Sequence, residues 1–538
     1  MKKYILSLMV CLMLIPSGFT PVEAKQAPSQ PVFNDISGSY AKEAILRLAK
    51  RGIVDGDGTG AFLPRGKVTR AEFTAMLGRL LGMNPVMNDL PAFRDVPIKA
   101  WYYGWVHSGT NLGIVNGKGE RLFNPMDRVS RQEAAVMMVR AMKLDSSRDD
   151  MAVADRYKDS EDLASWARSE VGTATTKGWM QGSDGFFRPY DAITREETAM
   201  LLDRVLRSGN VSDVLDSGYN SLASGIQMGW MYNGSTEQYI SYAKTAGLNT
   251  LVPRWYYIES TGAVSDKTDQ KLLNWAQLNG RKVWGMLGNR SNAEATHQML
   301  SDANSRRSVV NTLAGYVVKY KLNGINVDFE NVLPEDRYNL TAFIRELSAE
   351  LGRRGAVTSI DVSPDLGTDW TAAFDYAALG KSADYLVLMG YDEHWGGAPK
   401  AGSVSSLPWL SSAVDKFLTQ VPASKAVIAL PLYTREWRFY PTVGSEDISL
   451  IEQGRRIRQQ SASMVWNDVV GQYEAGYIRS EVQRKIWTED ARSLSVKHSM
   501  VEDRHTAGFA YWFPGSETPD VWQAIMNMKR YKSYSFDI

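Results

Sequence analysis

At 538 residues the chain is too long for one ordinary hydrophobic core, so more than one domain is expected. Apolar residues make up 44% and charged residues 22%, and 61 Lys+Arg against 60 Asp+Glu leave a formal charge of +1. That balance excludes the basic footprint of a nucleic-acid binder, and no Lys/Arg block points to an anionic membrane. The chain opens with Lys2 and Lys3, an apolar run from Tyr4 to Pro16, and small residues around Val22-Glu23-Ala24. This pattern predicts a signal segment over residues 1–24, cleaved after Ala24. The competing reading is an uncleaved anchor, but the apolar run falls short of the roughly 20 residues a bilayer span needs. The single cysteine, Cys11, lies in this segment, and Val10 before it is too bulky for a lipidation site. A mature chain without thiols fits an exported protein held together by core burial. No membrane contact is expected after cleavage.

The next region repeats itself. Phe33-Asn34-Asp35, Phe93-Arg94-Asp95 and Tyr157-Lys158-Asp159 recur at spacings of 60 and 64 residues. Each is followed by a helical pattern containing an aromatic residue (Tyr40, Trp101, Trp166) and then by Gly52-Ile53-Val54-Asp55-Gly56, Gly113-Ile114-Val115-Asn116-Gly117 or Gly178-Trp179-Met180-Gln181-Gly182. Phe62-Leu63-Pro64, Phe123-Asn124-Pro125 and Phe187-Arg188-Pro189 come next. Each copy closes on Thr69-Arg70-Ala71-Glu72, Ser130-Arg131-Gln132-Glu133 or Thr194-Arg195-Glu196-Glu197. Thr or Ser at an N-cap with Glu three residues on predicts a capping box opening a second helix. Ala134, Ala135, Met137, Met138 and Ala141 then have the spacing of a buried helix face. Capping leaves the arginine unexplained. At a helix N-terminus it is a bidentate donor beside free N–H groups, suited to a carboxylate or phosphate.

This triplicate resembles the S-layer homology family, with repeats over 33–83, 93–144 and 157–207. The resemblance implies an all-α, trimeric-looking bundle of helical pairs whose partner is secondary cell-wall polysaccharide, often bearing ketal-pyruvate carboxylates. Arg70, Arg131 and Arg195 would be its anion contacts. Gln132 and Glu196 depart from the commonest tetrad, which puts equal strength of the three sites in doubt.

A polar linker is expected over 208–221, after which short apolar strands alternate with amphipathic helices. The strands predicted are 226–232, 250–256, 282–287, 324–330, 357–362, 385–391, 426–432 and 508–512, with helices such as 270–278 and 336–352 between them. Eight such units over 222–538 predict the α/β class and a (β/α)8 TIM barrel. In Asn323-Gly324-Ile325-Asn326-Val327-Asp328-Phe329-Glu330, strand alternation puts Asn326, Asp328 and Glu330 on one face and Ile325, Val327 and Phe329 on the other. The polar set would point into the barrel with Glu330 at the C-terminal rim. Two carboxylates on one buried face repel, which raises a pKa as a general acid requires. The five histidines show no metal-ligand spacing, and no phosphate loop or nucleophile elbow occurs, so neither metal nor cofactor is expected.

This strand resembles the D-x-x-D-x-D-x-E signature of glycoside hydrolase family 18. Met389-Gly390-Tyr391-Asp392 is similar to the family's M-x-Y-D segment, and Trp512 ends the last strand where the family places a tryptophan floor. The nearest subgroup is the YaaH/SleL-like spore-cortex and cell-wall enzymes, which the segment from Leu430 through Tyr433 and Arg435 to Trp437 also fits. The resemblance implies hydrolysis of β-1,4-linked N-acetylglucosamine glycans, peptidoglycan or chitin, by substrate-assisted catalysis with retention. Glu330 would be acid and then base, Asp328 would orient the acetamido N–H, and Tyr391 would bond its oxygen. Trp512, Asn326, Met389, Asp392, Tyr433 and Arg435 would contact substrate. Asn323 and Asn326 stand where many members have Asp, so Asn326 cannot share a proton with Asp328. Trp437 and His394 remain open between cleft lining and structural roles. A non-catalytic, lectin-like wall protein is the alternative function. Either way the chain is expected at the surface or wall of a Gram-positive-type bacterium, with no obligate protein partner implied.

Overall fold

The computed structural model describes residues 33–217, 225–365 and 367–538; the expected signal segment and the end of the expected linker lie outside them. The three repeats each contribute two helices, first Lys42–Lys50, Tyr103–Asn111 and Arg168–Thr176, then Arg70–Leu80, Arg131–Ala141 and Arg195–Leu206. The second helices open on the expected capping boxes, with Thr69, Ser130 and Thr194 accepting from the N–H of Glu72, Glu133 and Glu197. The first helices stop at Gly52, Gly113 and Gly178, whose φ values of 68°, 70° and 69° are left-handed. There Ile53, Ile114 and Trp179 donate back to Leu48, Gly109 and Ala174, each at 2.9 Å, which satisfies the last carbonyls.

The aspartate of each Phe/Tyr-x-Asp motif has a definite task. Asp35 accepts the N–H groups of Phe62 and Leu63 at 2.8 and 2.7 Å, Asp95 those of Phe123 and Asn124 at 2.9 and 2.7 Å, and Asp159 those of Phe187 and Arg188 at 2.8 and 2.6 Å. Leu63, Asn124 and Arg188 sit at φ of 60°, 56° and 60°, so each carboxylate holds a backbone turn that a non-glycine residue resists. Tyr40, Trp101 and Trp166 fall just before the first helices and are exposed.

The tetrad arginines close the bundle on itself. Arg70 donates from Nε to Phe123 O, from Nη2 to Asn116 O and from Nη1 to Glu133, all at 3.1 Å. Arg131 repeats this with Phe187 O, Gln181 O and Glu197 at 2.8, 2.9 and 3.2 Å. Arg195 returns to the first repeat through Phe62 O and Asp55 O, with Glu72 at 3.7 Å. Each guanidinium also lies over the phenylalanine of the next repeat, at 4.9, 5.1 and 4.6 Å from the ring centre.

Beyond the bundle, eight strands pair in parallel in sequence order and close on themselves. They are β1 (Ile226–Met231), β2 (Thr250–Pro253), β3 (Lys282–Gly288), β4 (Gly324–Asp328), β5 (Val357–Val362), β6 (Tyr385–Met389), β7 (Ala426–Pro431) and β8 (Gly508–Trp512). This is the expected TIM barrel. Met228, Trp230, Val252, Trp284, Met286, Val387 and Ala429 fill its interior, while Ile325, Val327, Ile360, Val362 and Leu388 pack outward on the helices. The second strand is interrupted after Pro253; Tyr256–Ile258 resumes the parallel pairing with β3 and turns back as a hairpin with Val264–Asp266.

Between β7 and β8 a five-stranded antiparallel sheet (Tyr433–Arg438, Gly444–Ser449, Ser463–Asn467, Gln472–Arg479, Val482–Trp487) carries the helix Leu450–Gln459. Its residues Ile448, Met464, Tyr473 and Ile486 share one apolar cluster with the repeats. The helix Asp520–Ser533 and the residues after it also meet the bundle. Asn527 donates to Asn84 O, the Tyr534 hydroxyl to Leu81 O and Lys143 to Tyr534 O, each at 2.7 Å. Within the span expected as linker, Val211–Asp216 is helical because Val211 is fully buried against the third repeat.

Candidate active site

The C-terminal ends of the strands open into a cavity of about 880 Å³. Asp328 and Glu330 reach it from β4, Asp361 from β5, Met389, Tyr391 and Asp392 from β6, and Trp230 and Trp512 from β1 and β8. Trp370, Trp395 and Trp409 complete an aromatic wall of the kind on which apolar sugar faces stack. The strand alternation predicted for Asp328 and Glu330 therefore brings both carboxylates to one mouth, together with Tyr391 and Trp512.

Glu330 is exposed to the cavity, and its backbone is held by Asn289, which accepts from the Glu330 N–H at 3.1 Å and donates to its carbonyl at 2.7 Å. The Ser291 hydroxyl donates to the Glu330 carboxylate at 2.5 Å. Burial, then the charge of Glu330, pushes the Asp328 carboxyl up to about 7, and the Arg254 guanidinium partly opposes them. Asp361 is raised well above the ordinary carboxylate range, by burial first and by Asp328 second. Tyr391 is held protonated, chiefly by burial. Asp392 takes up left-handed backbone at φ 63°, and burial raises its carboxyl although Tyr433 donates to it at 2.5 Å.

Several expected contacts lie elsewhere. Asn326 does not reach the cavity: one pleat deeper than Asp328, it is 0% exposed, accepts from the Trp230 indole at 3.2 Å and donates to Ser359 at 3.0 Å and Asp361 at 2.8 Å. Tyr433 stands behind Asp392 and edge-on to Tyr391 at 6.1 Å. Arg435 approaches Asp392 at 3.9 Å and Ser445 at 3.4 Å. Trp437 is fully buried and donates to Gly402 O, and His394 donates to Ser403 O at 2.9 Å, so both are structural. Arg70, Arg131 and Arg195 lie in the seams of the repeat bundle, where three of the five N–H groups of Arg70 and of Arg131 are engaged. Burial lowers the pKa of all three.

Two residues were missed that their strands could have revealed. Trp230 shares the inward parity of Met228 on β1, and Asp361 shares that of Ser359 on β5, a polar pair on one face of the strand. Arg254 follows β2, packs over Tyr232 at 4.8 Å and near Trp512 at 6.0 Å, and carried no motif signal. Among the described residues, no group of His, Cys, Asp or Glu side chains is arranged to hold a metal ion.

Comparison with known proteins agrees with this geometry. The model of the family "Glycosyl hydrolases family 18" matches residues 225–516, and that of the "S-layer homology domain" matches 32–74, 92–135 and 156–199. The chain is 26% identical over 317 residues to the uncharacterized glycosylase YvbX of Bacillus subtilis, covering 56% of this chain and 91% of that one. It is 28% identical over 232 residues to the cortical fragment-lytic enzyme of the same organism, covering 42% of this chain and 54% of that one. A chitinase structure from Chromobacterium violaceum has the same barrel, with a TM-score of 0.53 at 23% identity over 58% of this chain and all of that one. With its family model matching more than half of its length, the chain belongs to glycosyl hydrolase family 18, as a glycosidase that carries three S-layer homology domains ahead of its barrel.

Proposed function

We propose that the protein is a wall-anchored, retaining hydrolase of β-1,4-linked N-acetylglucosamine glycans, with peptidoglycan as its first substrate and chitin as the alternative. The observation that carries this reading is the convergence of Asp328, Glu330, Tyr391 and Trp512 on one cavity. Glu330, open to the cavity, protonates the leaving glycosidic oxygen. The 2-acetamido carbonyl of the substrate attacks the anomeric carbon, giving an oxazolinium with its positive charge beside Asp328. Tyr391 donates to the acetamido oxygen, and Trp512 stacks beneath the ring. Glu330, now a carboxylate, takes a proton from the water that opens the oxazolinium. Because nucleophile and leaving group occupy opposite faces in turn, the anomeric configuration is retained.

Similarity to a cortical fragment-lytic enzyme supports peptidoglycan. The S-layer homology domains support anchoring at the cell surface through wall polysaccharide. In this reading the anion contacts at the seams are the remaining N–H groups of Arg70, Arg131 and Arg195. The test is reducing-end release from chito-oligomers and from purified peptidoglycan, by the protein and by Glu330→Gln. Catalysis predicts a loss of about 10²–10⁴-fold in the variant. No release from either substrate by the unaltered protein would leave a glycan-gripping barrel instead. Mass spectrometry of the products on defined peptidoglycan identifies the bond cut.

A further inference from the structure

The catalytic strand lacks a carboxylate one pleat below Asp328, where Asn326 stands. The neighbouring strand supplies one. β4 and β5 run parallel with Asn326 opposite Ser359 and Val327 opposite Ile360, so one step further Asp328 stands beside Asp361. Adjacent strands are about 4.8 Å apart, and residues in one row point to the same side. Ile360 and Val362 pack outward on the helices, so Asp361 points inward, 2% exposed, and lines the same cavity as Asp328. Asn326 fixes its orientation by donating to Asp361 Oδ1 at 2.8 Å while itself accepting from Trp230.

Building on the proposed reaction, we infer that Asp361 is the proton-sharing partner of Asp328, in the role that Asn326 cannot perform. Two enclosed carboxylates side by side cannot both ionise, so the pair keeps one proton between them. With that proton on Asp361, its O–H donates to Asp328, which stays a carboxylate facing the acetamido N–H. As the acetamido oxygen bonds to the anomeric carbon, the growing charge on nitrogen draws Asp328 toward the substrate. When water opens the ring the charge disappears and the proton is still on the pair. None enters or leaves through it, since Glu330 gives one proton to the leaving oxygen and recovers one from water. The other groups facing Asp361 and Asp328 are Glu330 just after β4, Tyr391 after β6 and Arg254 after β2, and the raised state of both aspartates agrees with a shared proton. Asp361 is thus a positioning residue that acts through Asp328.

The experiment compares full-length protein, Asp361→Ala and the double variant Asn326→Asp/Asp361→Ala, in pH profiles of kcat and KM on a soluble N-acetylglucosamine oligomer. Asp361→Ala removes the O–H donor, while the Asn326 amide keeps Ser359 as an acceptor. We expect kcat to fall by about 10-fold or more with KM within about threefold, and the acid limb to move to higher pH as Asp328 loses its donor. The double variant, which restores a carboxylate from the other side, should regain much of the loss. Should Asp361→Ala fail to fold, ¹³C NMR of aspartate-labelled wild-type protein decides: one aspartate carboxyl should remain protonated at pH 8. Wild-type kcat with an unmoved acid limb in Asp361→Ala, no recovery in the double variant, or full ionisation of every aspartate at pH 8 overturns the proposal. Glu330→Gln separates it from the reading beneath it. If that variant is inactive while Asp361→Ala behaves as wild type, only the proton sharing fails; if Glu330→Gln is fully active, the site itself has been misread.

Discussion

Asp328 shows what a buried charge does to one residue and to the whole fold. Its carboxyl is pushed up to about 7, above the ordinary value near 4 that it has in the unfolded chain. Below the ordinary value it is neutral in both states. As pH rises toward 7 the unfolded chain ionises it readily while the folded protein resists, so the stability present in acid is progressively lost. Asp328→Asn removes this penalty. Its unfolding free energy should exceed that of wild type by about 1–3 kcal/mol at pH 8 and converge with it toward pH 4, measured by denaturant unfolding across that range. A gain that is largest at pH 4 would contradict the assignment. On the proposed mechanism activity should fall in the same variant, since the acetamido nitrogen would lose its counter-charge.

Among the elements, the second helix of each repeat joins two roles that look separate in sequence. Thr69, Ser130 and Thr194 finish the backbone hydrogen bonding of their own helix, whereas the arginine after each ties that helix to the next repeat. Arg131→Ala leaves Phe187 O and Gln181 O without their donor and Glu197 without its counter-ion in a buried seam. A loss of about 2–4 kcal/mol is expected in denaturant unfolding. Lysine should not rescue it, because a single ammonium cannot span both carbonyls and the carboxylate as the planar fork does. The glutamate partners explain a further feature of the tetrad: Glu133 and Glu197 cap their own helix and also pair with the arginine of the preceding repeat.

Over the whole molecule, the repeats and the barrel meet through more than a linker. Arg458, on the helix Leu450–Gln459 that the inserted sheet carries, pairs with Asp89 at 2.7 Å, and Lys143, Lys177 and Leu81 engage the residues after the last helix. Differential scanning calorimetry should therefore show one cooperative transition for the repeats and barrel of the full chain. The double variant Lys143→Ala/Tyr534→Ala should split it into two, while wild-type behaviour in that variant would mean the contact carries little energy. An enzyme held this way presents its cleft at a set orientation to whatever the repeats grip. On the proposed function, wild type and Glu330→Gln should pellet equally with purified walls.

How much could be read in advance follows from the range of each interaction. Capping boxes, helix-ending glycines, strand alternation around Asp328 and Glu330, and the eight-strand count all depend on neighbours within a few residues, and each is written in the local order of side chains. Local order is therefore enough to specify the repeat bundle, the barrel and the strand that carries Asp328 and Glu330. Asp361, Arg254 and the seam partners of Arg131 depend on which strand or repeat stands alongside, a distance of tens of residues along the chain. Only the tertiary structure decided that Asn326 lies beneath the site, that a carboxylate from β5 stands beside Asp328, and that the repeats share a core with the inserted sheet. Parallel pairing sets that register, because it aligns residues whose separation in sequence carries no periodic signal.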